Sequence, residues 1–350
     1  QYFRLLSGDG NTMVGAIGPD HEENRAFLSF ARTFRELGLP VPEIFAEDRE
    51  AGVWLEEDLG DTTLFKALSD ARTGAEEGPS PSLDAPFPSE GEGLFRKALA
   101  VLPRFQVEGH GVIDYRVAYP RQAFDRRSIR WDLNYFKYHF LKLAHIEFNE
   151  QRLEDDFSRL TSLLLEAKSD YFLYRDFQSR NIMIRNGEPW FIDFQGGRKG
   201  ALQYDVASLL YDAKANIPSP VRARLLDHYL AELKGHAEVD EEQFREHFKG
   251  FVLIRLMQAM GAFGYRGFFE RKRRFLESVP FAAKNLAGLL DRGLPLELPE
   301  LEVVFGRIVN RWAGPESDSD TPSSLSVSVR SFSFRKGYPE APEGHGGGSV

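Results

Sequence analysis

Residues 171–193, YFLYRDFQSRNIMIRNGEPWFID, decide how the rest of the chain is read. The stretch carries Asp176, then Asn181 five residues on, then Asp193 twelve further. Residues 182–185 are mostly apolar with two β-branched isoleucines, Asn186-Gly187 is the strongest short signal for a hairpin turn, and 190–192 returns. Folding the chain back at that turn sets Asn181 opposite Ile192, beside Asp193. Opposed positions on paired strands lie about 5 Å apart, so one cation can touch both side chains. Asp176, in the loop just upstream, faces the same mouth. Three oxygen-bearing side chains around a hard-cation site suit phosphoryl transfer, in which a protein mainly positions groups and neutralises charge.

Working outward, Tyr2–Leu6 and Thr12–Ile17 read as two strands of a hairpin joined across Gly8-Asp9-Gly10-Asn11. A helix comes next, with Asp20 as N-cap, Glu23 three residues on, and Phe27, Phe30, Ala31, Phe34 and Leu37 at helical spacing. Gly38 ends it, and Pro40 lies just beyond. Residues 44–46 and Val53–Glu57 form a second strand pair. Residues 56–61, EEDLGD, connect this unit to the remainder of the chain. Residues 72–93, rich in Gly, Pro, Ser and Glu, lack apolar periodicity and read as a disordered surface loop. From Leu94 onward the pattern is helical. Asp132 caps a helix through Phe148, 153–167 gives another, Asp205 caps 206–211, and further stretches run near 220–234, 241–264 and 268–290.

The expected class is therefore α+β in two lobes: residues 1–60 small and strand-rich, and residues 61–312 mostly helical with one embedded hairpin. Residues 313–324, AGPESDSDTPSS, are an acidic linker. Residues 325–350 open with a single strand, bulged near Arg330-Ser331, that cannot fold alone. The chain begins without Met, directly in a strand, and so reads as a piece of a longer protein.

Composition narrows the chemistry. Hydrophobic residues at 42% and charged residues at 28% are globular values, and 29 Phe imply aromatic cores. A net charge of −9 argues against nucleic acid or an anionic membrane as partner. With no Cys there is no disulfide, thiolate metal site or cysteine nucleophile. No apolar run approaches the ~18 residues of a membrane-spanning helix and no signal peptide opens the chain, so the expected location is cytoplasmic.

The spacing Arg175-Asp176…Asn181…Ile192-Asp193-Phe194 matches the catalytic loop and metal-binding Asp of the protein-kinase-like fold. On these residues the chain resembles the aminoglycoside phosphotransferase family, over about residues 2–312. The resemblance implies ATP and Mg²⁺ between the lobes, with Asp176 as the base that takes the acceptor hydroxyl's proton. Asn181 and Asp193 are implied metal ligands, and Asp205 is implied to steady the catalytic loop from the helix behind it. Glu56, Glu57 and Leu59, in the connector, are implied to contact the nucleotide, and Glu22 or Glu23 is the helix carboxylate facing the phosphates. Two positions depart from the pattern. Tyr174 stands where the family has His, and Val14-Gly15-Ala16-Ile17 lacks the expected phosphate-anchoring Lys. Arg4, one strand away, is the candidate replacement, with a plain surface charge as the alternative.

Within that family, Tyr2-Phe3-Arg4, Glu57-Asp58-Leu59-Gly60 and Arg255…Gln258…Gly261-Ala262-Phe263 resemble the N-acetylmuramate/N-acetylglucosamine kinases. The implied acceptor is the anomeric hydroxyl of such an amino sugar, with an aminoglycoside or choline-like acceptor as the alternative. Asp125, Asp132 and Asn134 are candidates to line the acceptor pocket, against helix capping for Asp132. The tail from Ser326 resembles the opening of a RapZ-type RNase adapter C-terminal domain, which keeps a non-catalytic nucleotide-sensing module as a third reading.

Overall fold

Period-two patterning in the first sixty residues produces strands β1 (Tyr2–Leu6), β2 (Thr12–Ile17), β3 (Ile44–Asp48) and β4 (Val53–Glu57), paired antiparallel in the order β1-β2-β4-β3. The computed structural model describes residues 1–8, 10–73 and 87–313. Helix α1 (His21–Glu36) lies between the two strand pairs in sequence. As expected, Asp20 caps it, accepting from Glu22 N at 3.1 Å and Glu23 N at 3.2 Å. Its apolar stripe, Phe27, Phe30, Ala31 and Phe34, is buried.

The second lobe contains α2 (Leu64–Thr73), α3 (Ser89–Pro103), α4 (Gly109–Val112), α5 (Arg126–Phe136) and α6 (Glu150–Glu166). It continues with β5 (Tyr171–Leu173), β6 (Ile182–Arg185), β7 (Glu188–Phe191) and β8 (Arg198–Gly200). Helices α7 (Gln203–Leu210), α8 (Ser219–Leu233), α9 (Glu241–Gly264), α10 (Val279–Arg292) and α11 (Pro299–Trp312) complete it. The two-lobed α+β arrangement is the one the sequence predicts.

Four local expectations are corrected. Residues 89–93 are helical, not loop: Gly91 is small because α2 crosses there, where a β-carbon would meet Leu68 Cδ1 at 2.7 Å. The rest of that expected loop, 74–86 with Glu76 and Glu77, lies outside the described residues. Asp132 is no cap, because α5 starts earlier, where Asp125 accepts from Ser128 N at 3.0 Å. Asp205 sits inside the first turn of α7 and points its carboxylate backwards. The helix expected at 268–290 begins only at Val279, after Arg271 with φ 59° and a tight turn at Arg273–Ser278. The linker at 313–324 beyond Ala313, the single strand and the RNase-adapter resemblance also lie outside the described residues.

The Phe-rich composition is spent on the seam between α1 and the second lobe. Phe194 stacks on Phe27 at 5.1 Å between ring centres and meets Phe34 edge-on at 5.3 Å. Phe172 meets Phe30 and Phe34 at 5.7 and 5.2 Å, and Phe105 meets Phe34 and Phe191 at 4.8 and 5.1 Å. Such pairs contribute about 0.5–1.5 kcal/mol each beyond the area they bury. Backbone bonds reinforce the seam: Phe191 N donates to Pro40 O at 2.8 Å, and the Arg104 guanidinium to Leu37 O at 2.7 Å.

Candidate active site

The hairpin forms in the register the sequence predicts. Strands β6 and β7 pair from Ile182↔Phe191 to Arg185↔Glu188. Asn186 and Gly187 both take positive φ, 54° and 75°, as a two-residue turn of this hand demands. One step beyond the strands, Ile192 N donates to Asn181 O at 3.1 Å, so Asn181 stands opposite Ile192. Asn181 Nδ2 then donates to Asp193 Oδ2 at 2.8 Å and to Asp176 O at 2.9 Å. Asp176, Asn181 and Asp193 are brought together. Gln178 Nε2 contacts Asp176 Oδ1 at 3.3 Å, and Gln195 Nε2 donates to Asp193 Oδ1 at 2.7 Å. Burial, and then the nearby Asp176 charge, hold the Asp193 carboxyl above its ordinary value.

The donor set fits a hard cation. Each Asp193 oxygen keeps a further lone pair, and Asn181 Oδ1 takes no donor among the described residues. No cluster of three or more His, Cys, Asp or Glu with metal-holding geometry exists among the described residues.

The loop carrying Asp176 is held in a strained shape. Arg175 and Asp193 adopt φ of 81° and 67°, a region costly for residues with a β-carbon. The Arg175 side chain is fixed by two bonds to Asp132, at 2.8 and 2.6 Å, and one to the Tyr204 hydroxyl at 2.5 Å. Rings of Phe124 and Tyr204 lie 5.1 and 5.0 Å from its guanidinium. Fully buried Asp205 accepts from Tyr174 N at 2.9 Å, Arg175 N at 3.0 Å and Gln106 Nε2 at 3.1 Å. Burial pushes its carboxyl up to about 7, with the three donors pulling the other way. Tyr174, in the place of the family's His, donates its hydroxyl to Ile192 O at 2.6 Å, tying the loop to the residue before Asp193.

A cleft of about 530 Å³ opens between the sheet and this hairpin, lined by Val14, Glu56, Leu59, Met183, Ile192 and Asp193 among others. Glu56 is only 8% exposed and accepts from Trp54 Nε1 at 2.8 Å. Glu57 also lines the cleft, and it accepts from Glu43 N at 3.3 Å and from Arg185 at 2.5 Å. Of the two helix carboxylates, Glu22 pairs with Arg25 at the surface, whereas Glu23 bonds to Gln195. Glu23 has its carboxyl raised chiefly by burial, with Asp193 and Asp176 adding to it. Among the described residues Glu23 has no cation partner. Arg4 is not brought to it: its guanidinium pairs with Asp58 at 2.6 Å and Asp61 at 2.8 Å, at the connector end. Sequence reasoning offered Asp132 as a pocket-lining candidate without its partner Arg175, and missed Gln106, Gln178 and Gln195 as parts of the site. Only the two glutamines flanking the motif, two residues after each Asp, carried a local signal.

Glu56 gives a stability prediction. Burial raises its carboxyl from 4.5 to about 7. The folded state thus holds this proton more tightly than the unfolded chain. Stability contributed at low pH is lost as pH rises through that window, by about 3 kcal/mol at most. Glu56→Gln keeps an acceptor for Trp54 and removes the titration. Urea unfolding should give equal stabilities for the two proteins near pH 4.5, with the variant more stable at pH 8. A parallel pH dependence in both would refute the assignment.

The fold and the site define a protein-kinase-like phosphotransferase. The model of the phosphotransferase enzyme family matches residues 1–244, and the chain belongs to that family. It is 27% identical over 310 residues to the N-acetylmuramate/N-acetylglucosamine kinase of Pseudomonas aeruginosa, spanning 86% of this chain and 84% of the relative. It is 24% identical over 289 residues to the enzyme of the same name from Neisseria meningitidis, spanning 80% of this chain and 79% of that one. Among solved structures, Plasmodium vivax ethanolamine kinase superposes with a TM-score of 0.52 at 13% identity, over 81% of this chain and 78% of that chain. No helix among the described residues is long and apolar enough to cross a membrane.

Proposed function

We propose that this chain transfers the γ-phosphoryl group of ATP, with Mg²⁺, to the anomeric hydroxyl of N-acetylmuramate or N-acetylglucosamine. The observation that carries the reading is that Asn181 bonds both the Asp176 backbone carbonyl and the Asp193 carboxylate, with the Asp176 charge close enough to act on Asp193 and with Asn181 and Asp193 lining the cleft. In this reading Asp176 accepts the acceptor hydroxyl's proton as the new bond forms. An anomeric hydroxyl is more acidic than other sugar hydroxyls, which suits a carboxylate base. Asn181 and Asp193 hold the metal, and Mg²⁺ when bound neutralises charge on the phosphates. The nucleobase lies in the cleft against Val14, Leu59 and Ile192, with Glu56 at its inner wall and Glu57 bracing the connector. Arg4 holds Asp58 and Asp61 in place and lends its stem to the cleft wall. Glu23 orients Gln195, and through it Asp193.

The relatives' names supply the amino-sugar class. An acceptor panel tests the proposal. Full-length protein with MgATP should consume ATP faster on adding N-acetylmuramate or N-acetylglucosamine than on adding kanamycin or choline. Stimulation by kanamycin or choline alone would replace the amino-sugar reading.

A further inference from the structure

Two arginines stand beside Asp176 in the second lobe, and their charges are treated differently. Arg175 is neutralised by Asp132 at 2.6 Å. Arg198, at the start of β8 opposite Leu173, is only 6% exposed, yet no carboxylate lies within ion-pairing distance of it among the described residues. Its guanidinium is held by two neutral carbonyls: Nε donates to Gly196 O at 2.9 Å and one terminal nitrogen to Tyr119 O at 3.3 Å. That uses two of the five N–H donors of an arginine and leaves three. One terminal nitrogen makes no bond and is not among the sealed, unsatisfied polar atoms of the described residues, so its two N–H groups reach accessible space. A cation so placed carries a desolvation cost that an anion of the right shape offsets.

Its position relative to the chemistry is fixed by Gly196. A β-carbon there would lie 3.6 Å from Asp176 Oδ2 and 3.5 Å from Arg175 Cγ, and it is this residue's carbonyl that aims Arg198. Tyr119, the second anchor, bonds through its hydroxyl to Asp20 at the start of α1. Arg198 is not among the residues lining the cleft between the sheet and the hairpin. It thus sits one residue's reach from the proposed base, away from the nucleobase end. Burial and the like charge of Arg175 lower its guanidinium to about 10, an electrostatic strain that a bound anion relieves.

We propose that Arg198 is a specificity residue that binds a carboxylate on the acceptor, so that the acceptor is an acidic amino sugar. The free terminal nitrogen of a rigid, planar guanidinium suits a charge-assisted bond to a carboxylate. Resting on the proposed function, this selects between its two sugars. N-acetylmuramate carries a lactyl ether acid on the same ring on which N-acetylglucosamine carries a hydroxyl. Arg198 recognises that acid while Asp176 serves the anomeric hydroxyl.

The test is steady-state kinetics of the full-length protein with MgATP and each sugar in turn. The native protein should show a kcat/KM for N-acetylmuramate at least about tenfold above that for N-acetylglucosamine, as one charge-assisted pair provides. In Arg198→Gln that ratio should fall about tenfold or more, through the KM of the acid, and Arg198→Lys should restore part of it. An equal loss on both sugars would assign Arg198 to the transferred phosphoryl group or to loop packing, and would overturn the proposal. A native preference for the neutral sugar would overturn it without any variant, which covers a Gln variant that fails to fold. No turnover of either sugar by the native protein would instead defeat the amino-sugar reading itself, and this inference with it.

Discussion

Replacing Asp176 with Asn is expected to lower turnover by about 10²–10⁴-fold while nucleotide binding changes little. The side chain is half-buried and makes one long contact, from Gln178 at 3.3 Å, which an Asn oxygen can still accept. The bond from Asn181 goes to the Asp176 backbone carbonyl, so the substitution leaves the Asn181–Asp193 pair in place. What disappears is the group proposed to take the acceptor's proton. The measurement pairs steady-state kinetics on the amino sugars with titration of a fluorescent nucleotide. A variant with near-native turnover would remove Asp176 from the role of base. One with nucleotide affinity lost as well would show that it holds the phosphates or the fold.

Asp205→Ala should cost about 3–5 kcal/mol of stability, a large part of what a domain possesses. The carboxylate is the shared acceptor of Tyr174 N, Arg175 N and Gln106, all buried behind the catalytic loop. Alanine leaves the Tyr174 and Arg175 N–H groups without partners, leaves Gln106 Nε2 with Leu202 O alone, and opens a void in a buried site. Asp205→Asn keeps one acceptor oxygen and should lose less, about 1–3 kcal/mol. The order native, Asn, Ala in urea midpoints is the expected outcome. Equal midpoints for native protein and Ala would mean that the loop does not depend on this residue. Because Gln106 also accepts from the Tyr229 hydroxyl at 2.6 Å, Tyr229→Phe should reproduce a fraction of the loss.

The parts of this site legible in the sequence are those set by local rules. The Asn186-Gly187 turn fixes the register, and the register alone delivers Asn181 to Asp193. Asp20 caps α1 because the first turn of any helix needs an acceptor there. The hidden parts are side chains whose partners lie far along the chain. Asp132 looks like a cap, yet its partner Arg175 is forty-three residues away. Asp205 has the same appearance, and its partners lie about thirty residues upstream. A carboxylate near a helix start satisfies a local rule in sequence whether or not the fold uses it elsewhere. Gly91 misled in the opposite direction. In composition it looks like loop, and in the structure it is a crossing point for α2. Arg4 shows the remaining limit, since a cation on the right sheet went to the connector acids and not to Glu23.

The seam of phenylalanines has a mechanical consequence. By sequence α1 belongs with the sheet, and Phe27 does meet Trp54 of β4 at 5.4 Å, but Phe27 also stacks on Phe194, Phe30 and Phe34 meet Phe172 edge-on, and the chain just after the helix is bonded to Phe191 and Arg104. Helix α1 is thus packed against both lobes at once. Drawing it away from the hairpin would break these ring contacts together with the bonds at Leu37 and Pro40, so Glu23 and Asp193 are held by one aromatic core.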